Sequence, residues 1–367
     1  MFKFNKLKRV HLEITNRCQA SCPMCPRNIH SGIDNPLINN SDWTLDQFKE
    51  IFTDEVLKQL DGIQFCGSFG DPIINNDLIE MCKHVAPYTS ITINTNGSAR
   101  SKAWWKNLAK ALPKDHHVQF ALDGFEGTHE LYRVGTSFTK VIENAKSFIN
   151  AGGNALWLFI RFKHNEHQVD DARTLASELG FFKFELKDTR RFVVDKFPVL
   201  DKNGNVDYYL ESPTSNNIPI VDLNLVKNYK QWKGATNISC YALDDKEVYI
   251  DSKMRMFPCC IIAAFIDTNY DNTIYTNNNL HGFELQNQIG SRVKQDVYDL
   301  INELGGDNKI NVLNRGIKNI IENTQWQTIW HEKWASNKSM CCTTMCSASS
   351  PFVKLQSQFQ NREKEDL

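Results

Sequence analysis

Short apolar segments alternate with segments of helical periodicity through the first half of the chain, and this alternation limits the fold more than any other feature. The apolar segments contain β-branched residues and end near Gly, Asn or Asp, which is typical of β-strands. The pattern predicts an α/β fold in which helices cover a parallel sheet, either open and doubly wound or curled into a full or partial barrel. The predicted strands are Val10–Ile14, Gly62–Cys66, Ile91–Thr95, Val118–Leu122, Ala155–Phe162 and Phe182–Leu186, and the predicted helices are Thr44–Leu60, Asn76–Ala86, Ser137–Ala151 and Gln168–Leu179.

The composition argues against several classes of protein. The chain has 367 residues, a hydrophobic share of 41% and a formal net charge of −1. Its overall charge therefore does not favour binding to nucleic acid or to an anionic membrane. Its apolar runs are shorter than the roughly 20 residues that span a bilayer, and its first residues are too polar for the core of a signal peptide. We expect a cytoplasmic protein with no membrane or nucleic-acid partner.

The eleven cysteines are unevenly distributed along the chain. Three lie between residues 18 and 25, and six lie beyond residue 239. Clustered cysteines in a reducing compartment are more typical of metal or cluster ligands than of disulfides. Cys66 and Cys82 stand apart in strand and helix patterns, and we interpret both as buried core residues.

The first cysteine group, Cys18, Cys22 and Cys25, has the spacing C-x3-C-x2-C and directly follows the first predicted strand. Three thiolates on one loop can hold a cubic iron–sulfur cluster and leave its fourth iron open to a small molecule. The alternatives are a zinc site and three incidental thiols. Zinc normally takes four protein ligands, and His30 is the one additional candidate nearby.

This loop resembles the cluster loop of the radical S-adenosylmethionine (SAM) superfamily. The resemblance implies a partial (β/α)6 TIM barrel and a 4Fe–4S cluster whose open iron binds the amino and carboxylate groups of SAM. Reduction by a donor such as flavodoxin or ferredoxin then cleaves SAM to methionine and a 5′-deoxyadenosyl radical. Met24, at the usually apolar position before the third cysteine, is expected near the adenine.

Three later segments are similar to SAM-binding segments of the same superfamily. Each follows a predicted strand, and the carboxyl ends of parallel strands are where ligands bind in such folds. The segment after the second strand is similar to a Gly-Gly-Glu-Pro motif that holds the SAM ammonium group. The resemblance assigns the third segment to the ribose and the Arg of the fourth to the SAM carboxylate. The candidates are Ser68, Gly70 and Asp71 after the second strand, Asn94 and Asn96 at the third, and Asp123 and Arg133 after the fourth.

The late cysteines resemble the SPASM or twitch extension of radical SAM enzymes, which holds auxiliary clusters. Their pattern is shorter than the full SPASM pattern and therefore favours one auxiliary 4Fe–4S cluster. The expected ligands are Cys240, Cys259, Cys342 and Cys346, with Cys260 or Cys341 as possible replacements. Zinc is the alternative here, because four thiolates suit it equally well.

The predicted domains follow from these assignments. Residues 1–190 form the barrel, 191–235 a linker or extended arm, 236–350 a smaller cysteine-rich α+β domain, and 351–367 a polar tail. Inside the third region we predict a hairpin, Val248–Ile250 and Met254–Phe257, and helices near 284–303 and 311–322.

The predicted function is that of a radical SAM enzyme, of oxidoreductase or bond-forming type, that abstracts hydrogen from an unactivated carbon. The extension resembles those of enzymes that modify peptides and of dehydrogenases that act on small alcohols. A peptide substrate is favoured, with a sugar or nucleotide derivative as the alternative. A non-catalytic zinc-binding module is a more distant alternative. No catalytic side chain is assigned from the sequence.

Overall fold

A computed structural model describes residues 2–189, 191–192, 196–214, 237–270, 283–336 and 339–346. Its strands are β1 (Arg9–Leu12), β2 (Asn28–Ile29), β3 (Ile33–Asp34), β4 (Gly62–Phe65), β5 (Ser90–Thr95), β6 (His117–Ala121), β7 (Asn154–Arg161), β8 (Lys183–Asp188), β9 (Lys196–Leu200), β10 (Val206–Glu211), β11 (Glu247–Ile250) and β12 (Met256–Phe257).

The helices lie between and after these strands. They are α1 (Leu45–Ile51), α2 (Asp54–Leu57), α3 (Leu78–Val85), α4 (Lys102–Ala111), α5 (His129–Tyr132), α6 (Phe138–Ile149), α7 (Val169–Glu178), α8 (Tyr241–Asp244), α9 (Cys260–Asp267), α10 (Glu284–Glu303), α11 (Asp307–Ile310), α12 (Val312–Arg315), α13 (Ile317–Ile321), α14 (Thr324–Ala335) and α15 (Met340–Cys346). Within the described ranges, every helix is too short or too polar to cross a bilayer.

The main sheet of the described residues has eight strands in the order β12-β11-β1-β4-β5-β6-β7-β8. All neighbouring strands are parallel except β11 and β12. Because β8 and β12 stand at opposite ends of this order, the described sheet is open rather than closed. The predicted α/β fold with a partial barrel is confirmed.

Local sequence signals explain where the helices begin and end. The hydroxyl of Thr44 accepts a hydrogen bond from the Gln47 backbone N–H, and the Gln47 side-chain oxygen accepts one from the Thr44 backbone N–H. Ser101 and Ser137 cap α4 and α6 in the simpler way. A break at Thr53 separates α1 from α2, so the single helix predicted over Thr44–Leu60 is wrong.

Helix α4 was not predicted, because Lys and Asn interrupt its apolar pattern. Its Trp105 is fully buried and packs on Phe120 of β6 and Phe148 of α6, with ring centroids 5.0 and 6.2 Å away. Aromatic contacts of this kind fill the layer between the sheet and its helices.

The region predicted as a linker or extended arm contains a hairpin in its described part. β9 and β10 pair antiparallel, and Gly204 in the turn between them has φ of 82°. The hairpin lies against the β2–β3 turn that follows the cysteine loop, because the Leu200 backbone N–H donates to the His30 carbonyl at 2.8 Å. Pro198 obscured the strand pattern, although Asn203-Gly204 is a strong hairpin signal. Residues 215–236 and the tail from 347 lie outside the described residues.

The predicted C-terminal hairpin is confirmed as β11 and β12. Strand β11 also joins the main sheet, where it pairs parallel with β1 from Arg9↔Glu247 to Leu12↔Ile250. The helix predicted at 284–303 is α10, and the one predicted near 311–322 is the pair α12 and α13. The domain boundaries themselves stay a prediction.

Candidate functional site

Cys18, Cys22 and Cys25 lie on the loop between β1 and β2. Cys22 is buried and the other two are half-buried. A tight turn fixes the last two, because the Cys25 backbone N–H donates to the Cys22 carbonyl at 2.9 Å. Asn28 donates its side-chain amide to the same carbonyl at 3.2 Å. These hydrogen bonds therefore fix Cys22 relative to Cys25 through the backbone of the loop.

The thiols of this loop need a positive partner to ionise. Burial raises the pKa of Cys22 to about 11, although the nearby Arg133 guanidinium acts in the opposite direction. Burial also raises the pKa of Cys18 and of Cys25. Thiolates are the form that binds metal, so cluster irons would supply the missing positive charge.

The segment after β4 packs closely against the chain that leads from β1 into the cysteine loop. A Cβ on Gly70 would lie 1.8 Å from the Thr15 carbonyl oxygen, so only glycine fits there. The buried Glu13 carboxylate accepts hydrogen bonds from the Phe69 and Gly70 backbone N–H groups at 2.8 and 3.0 Å. Gly70 thus allows the two loops to approach closely, as expected for a segment that surrounds a ligand.

The Asp71 side chain is committed to the end of β5. It accepts hydrogen bonds from the Thr95 hydroxyl at 3.0 Å and from the Asn96 backbone and side-chain amides at 2.7 and 2.6 Å. Asn96 in turn donates to Cys18 Sγ at 3.5 Å. Asp71 and Asn96 therefore connect β5 to the cysteine loop, and their side chains already have partners.

Asp123 and Arg133 form an ion pair in which Nε lies 2.5 Å from Oδ2. Asp123 is fully buried, and its other oxygen accepts from the Ile160 backbone N–H at 2.6 Å. The Asp123 carboxylate raises the already high pKa of Arg133, against the opposing effect of burial. The assignment of Arg133 to the SAM carboxylate stays a prediction, and it requires that the guanidinium bind this carboxylate while it is paired with Asp123.

A cavity of about 810 Å³ lies beside the cysteine loop and extends along the inner face of the sheet. Met24, Cys25, Ser68 and Asn94 line it. The Asn94 Oδ1 atom is buried and makes no hydrogen bond within the described part of the chain. The structure thus brings Met24, Ser68 and Asn94 together at the cavity, while Gly70, Asp71, Asn96, Asp123 and Arg133 form the framework beside it.

Other residues of the cavity were not predicted from the sequence. His11, Gln64 and Lys187 point inward from β1, β4 and β8, and Arg191 donates to the Met24 carbonyl at 2.9 Å. Polar residues inside otherwise apolar strands were the available signal. His11 is buried, which lowers its pKa to about 4, and it contacts the Cys66 carbonyl through Nε2 at 2.8 Å.

Cys66 also lines the cavity, so its interpretation as a core residue is wrong. It ends the β4 segment at an inward position, two residues after Gln64. Cys82 is fully buried in α3, as predicted.

The late cysteines separate into two environments. Cys259, Cys341, Cys342 and Cys346 are buried, and Cys240 is half-buried beside them. Burial raises the pKa of Cys259, and the neighbouring Cys260, Cys240, Cys346 and Cys342 raise it further. We call Cys240, Cys259, Cys341, Cys342 and Cys346 the C-terminal cysteine group.

Cys260 faces the other way, into the cavity. Its Sγ lies 3.5 Å from the Tyr241 hydroxyl, and its charge raises the pKa of Cys66, after the larger effect of burial. The consecutive residues Cys259 and Cys260 at the start of α9 therefore lie in different environments.

The thiols of both groups are of the chemical type that binds iron–sulfur clusters. No three His, Cys, Asp or Glu side chains among the described residues surround one point as ligands of a single metal ion would. A 4Fe–4S cluster bonds each thiolate to a different iron, so its ligands stand further apart. Cys25 of the loop and the unpartnered Asn94 oxygen line the same cavity, and this arrangement fits a cluster on the loop with SAM beside it.

Known proteins give the following comparisons. Streptococcus suis SuiB bound to S-adenosylmethionine is 14% identical with a TM-score of 0.46, and the match covers 69% of this chain and 60% of SuiB. The structure of anSMEcpe with bound AdoMet is 15% identical with a TM-score of 0.46, and the match covers 90% of this chain and 94% of anSMEcpe. BtrN in complex with AdoMet and 2-DOIA is 13% identical with a TM-score of 0.43, and the match covers 94% of this chain and 93% of BtrN.

The chain thus spans 60% of the length of SuiB. No curated protein matches it. The model of the Radical SAM superfamily matches residues 12–176, which run from the end of β1 into α7 and include all three cysteines of the first loop. This part of the chain is therefore similar in sequence to radical SAM domains.

Proposed function

We propose that this protein is a radical SAM enzyme that abstracts hydrogen from an unactivated carbon of a peptide. Cys18, Cys22 and Cys25 hold a 4Fe–4S cluster, and SAM lies in the cavity beside Met24 and Asn94. When bound, the cluster and SAM supply one-electron cleavage that yields methionine and a 5′-deoxyadenosyl radical. The observation that carries the proposal is that the loop of the three thiols lines, through Met24 and Cys25, a cavity large enough for both a cofactor and a substrate.

The side chains around the cavity have separate tasks in this proposal. Asn94 accepts a hydrogen bond from a ribose hydroxyl through its unpartnered Oδ1. Glu13 and Asp71 keep the loop after β4 and the end of β5 in position. Arg191 fixes the backbone at Met24. The hairpin β9–β10 covers the cysteine loop and limits the access of water to it.

The C-terminal cysteine group holds one auxiliary 4Fe–4S cluster in this proposal, through Cys240, Cys259, Cys342 and Cys346. Their mutual proximity and burial support this choice. Cys260 is left out because it faces the cavity. A cluster there would accept an electron from a substrate radical or relay one to it.

The test is reductive cleavage of SAM by anaerobically purified protein. We expect roughly eight irons per chain, as two 4Fe–4S clusters require. With dithionite and SAM the protein should release 5′-deoxyadenosine, measured by mass spectrometry. Intact clusters without 5′-deoxyadenosine would contradict the proposal, as would bound zinc in place of iron. Formation of S-adenosylhomocysteine would indicate a methyltransferase.

A further inference from the structure

The cavity has a second wall, formed by the C-terminal part of the chain opposite the barrel strands. We call it the outer wall; it consists of α9, the segment after it to Tyr270, and the first half of α10. Among the described residues from 261 to 293, every side chain that lines the cavity is uncharged. Most are apolar or aromatic: Ile261, Ala264, Phe265, Tyr270, Ile289 and Val293.

The charges of the cavity lie instead on the barrel side. Asp188 at the end of β8 is paired with Arg161 through two hydrogen bonds of 2.8 and 2.9 Å. Arg9 lies 3.7 Å from Glu247, across the β1–β11 pair. A phosphate or carboxylate placed against the outer wall would thus meet no cation from that wall, so the wall favours a neutral group.

Thr268, Asn269 and Asn287 are the polar side chains on this mostly apolar surface, and the amide of Asn287 is the one without a hydrogen-bond partner among the described residues. Asn287 is 3% exposed and lines the cavity from α10. Its Nδ2 atom is buried and makes no hydrogen bond within the described residues. A buried donor without an acceptor is costly, and such donors in cavities are commonly satisfied by a ligand.

The shape of the wall around Asn287 is fixed by close packing. A Cβ on Gly290 would lie 2.1 Å from the Tyr270 ring, so glycine allows that ring to lie directly on α10. The Tyr270 ring stacks on Phe265 of α9, with centroids 6.1 Å apart. The aromatic pair and α10 therefore form a preorganised, mostly apolar surface that contains the unpartnered donor of Asn287.

We propose that the outer wall is the subsite for an uncharged apolar side chain of the peptide substrate. In this subsite Asn287 Nδ2 donates a hydrogen bond to a backbone carbonyl next to that side chain. The inference rests on the proposed function for the identity of the reaction and for the peptide nature of the substrate, and the wall's chemistry adds the preference for an uncharged side chain. A phosphate group would find its cations on the barrel side, where Arg9, Lys187 and Arg191 line the cavity, and not on the outer wall.

The test measures ligand binding and stability separately. The probes are N-acetyl-glycyl-leucyl-glycinamide, its aspartyl counterpart and uridine 5′-monophosphate, titrated into the full chain with SAM present and followed by saturation-transfer NMR. We expect the leucyl peptide to bind, and to bind more tightly than the other two probes.

The variant Asn287→Leu removes the donor and keeps the approximate size of the side chain. We expect it to bind the leucyl peptide about three- to tenfold more weakly, the loss of one hydrogen bond. The Tm of the ligand-free variant should rise, because an unpartnered buried donor is removed. Gln295→Ala, on the exposed face of the same helix, should change neither quantity.

Several outcomes would overturn the subsite. They are unchanged peptide binding in Asn287→Leu, a lower Tm in that variant, tighter binding of uridine 5′-monophosphate than of the leucyl peptide, or no binding of the leucyl peptide. SAM cleavage is measured in the same wild-type preparations. Cleavage without peptide binding refutes the subsite alone, whereas peptide binding without cleavage refutes the proposed function and leaves the subsite standing.

Discussion

The two cysteine groups of this protein are assembled in opposite ways. Cys18, Cys22 and Cys25 lie within eight consecutive residues on one loop, and that loop opens onto the cavity. The C-terminal cysteine group comes from segments near residues 240, 259 and 341–346, and it is largely buried. The first group is therefore set by local chain geometry, whereas the second exists only after the surrounding helices have packed.

The largest difference between the groups should appear in SAM cleavage. Replacing Cys18 with Ala should reduce release of 5′-deoxyadenosine to background, because the first cluster loses one of its three protein ligands. The matched control is Cys82→Ala, a buried cysteine of α3 away from both groups. Activity in the Cys18 variant equal to that of the Cys82 variant would refute the role of the first loop.

Iron content should distinguish the C-terminal cysteine group from the neighbouring Cys260. Cys342→Ala should lower iron from about eight to about four atoms per chain, since one of two clusters is lost. Cys260→Ala should retain about eight, because that thiol faces the cavity. Iron analysis with protein quantification provides the measurement. If Cys260→Ala loses iron and Cys342→Ala does not, the assignment of these two residues must be exchanged.

Stability should reveal the buried charges behind the first group. Arg133→Met leaves the fully buried Asp123 without its ion partner, which should lower the free energy of unfolding by about 3–5 kcal/mol. Lys318→Met removes the exposed pair between α13 and Glu55 of α2, and should cost less than about 1 kcal/mol. Urea unfolding monitored by circular dichroism measures both. Equal losses would mean that the Arg133 pair is more exposed to solvent than the geometry indicates.

The smallest of these effects concerns Glu13, which links the two regions. Glu13 accepts a hydrogen bond from the hydroxyl of Tyr249 on β11 at 3.1 Å. Burial raises the pKa of Glu13 from 4.5 to about 7, although backbone hydrogen bonds from Phe69 and Gly70 act against it. The folded state therefore binds more protons than the unfolded state between these two values.

It follows that the free energy of unfolding should fall as the pH rises from about 4.5 to about 7, by roughly 3 kcal/mol. The stabilisation by protonated Glu13 is fully present below about pH 4.5 and is lost as the pH rises through about 7. Glu13→Gln keeps the shape of the side chain but cannot ionise. The variant and the wild type should therefore have equal free energies of unfolding at low pH, and the variant should be the more stable of the two at pH 8. Parallel stability curves at all pH values would contradict the assignment.

The sequence predicted those parts of the molecule that depend on neighbouring residues. The strands of the barrel and the cysteine loop follow from local pattern and spacing. The hairpin β9–β10 was missed although its turn carries Asn203-Gly204, because Pro198 and the short strands weakened the alternation. The break at Thr53 was missed because apolar residues continue on both sides of it.

Long-range pairing explains the remaining differences. Nothing in the period of residues 247–250 indicates that they pair with β1, more than 230 residues earlier in the chain. The cavity position of Cys66 and the separation of Cys259 from Cys260 depend on the same pairing, because β11 brings α9 to the barrel. The unpartnered amide of Asn287 is likewise visible only when α10 is in place.

The pairing of β11 with β1 has a consequence for the order in which the chain becomes structured during synthesis. Until residues 247–250 leave the ribosome, β1 has β4 on one side and an unpaired backbone edge on the other. At usual rates of translation this interval is roughly 10–50 seconds. An unpaired edge invites pairing with another chain. Nascent chains stalled before residue 247 should therefore need a chaperone far more than completed ones do.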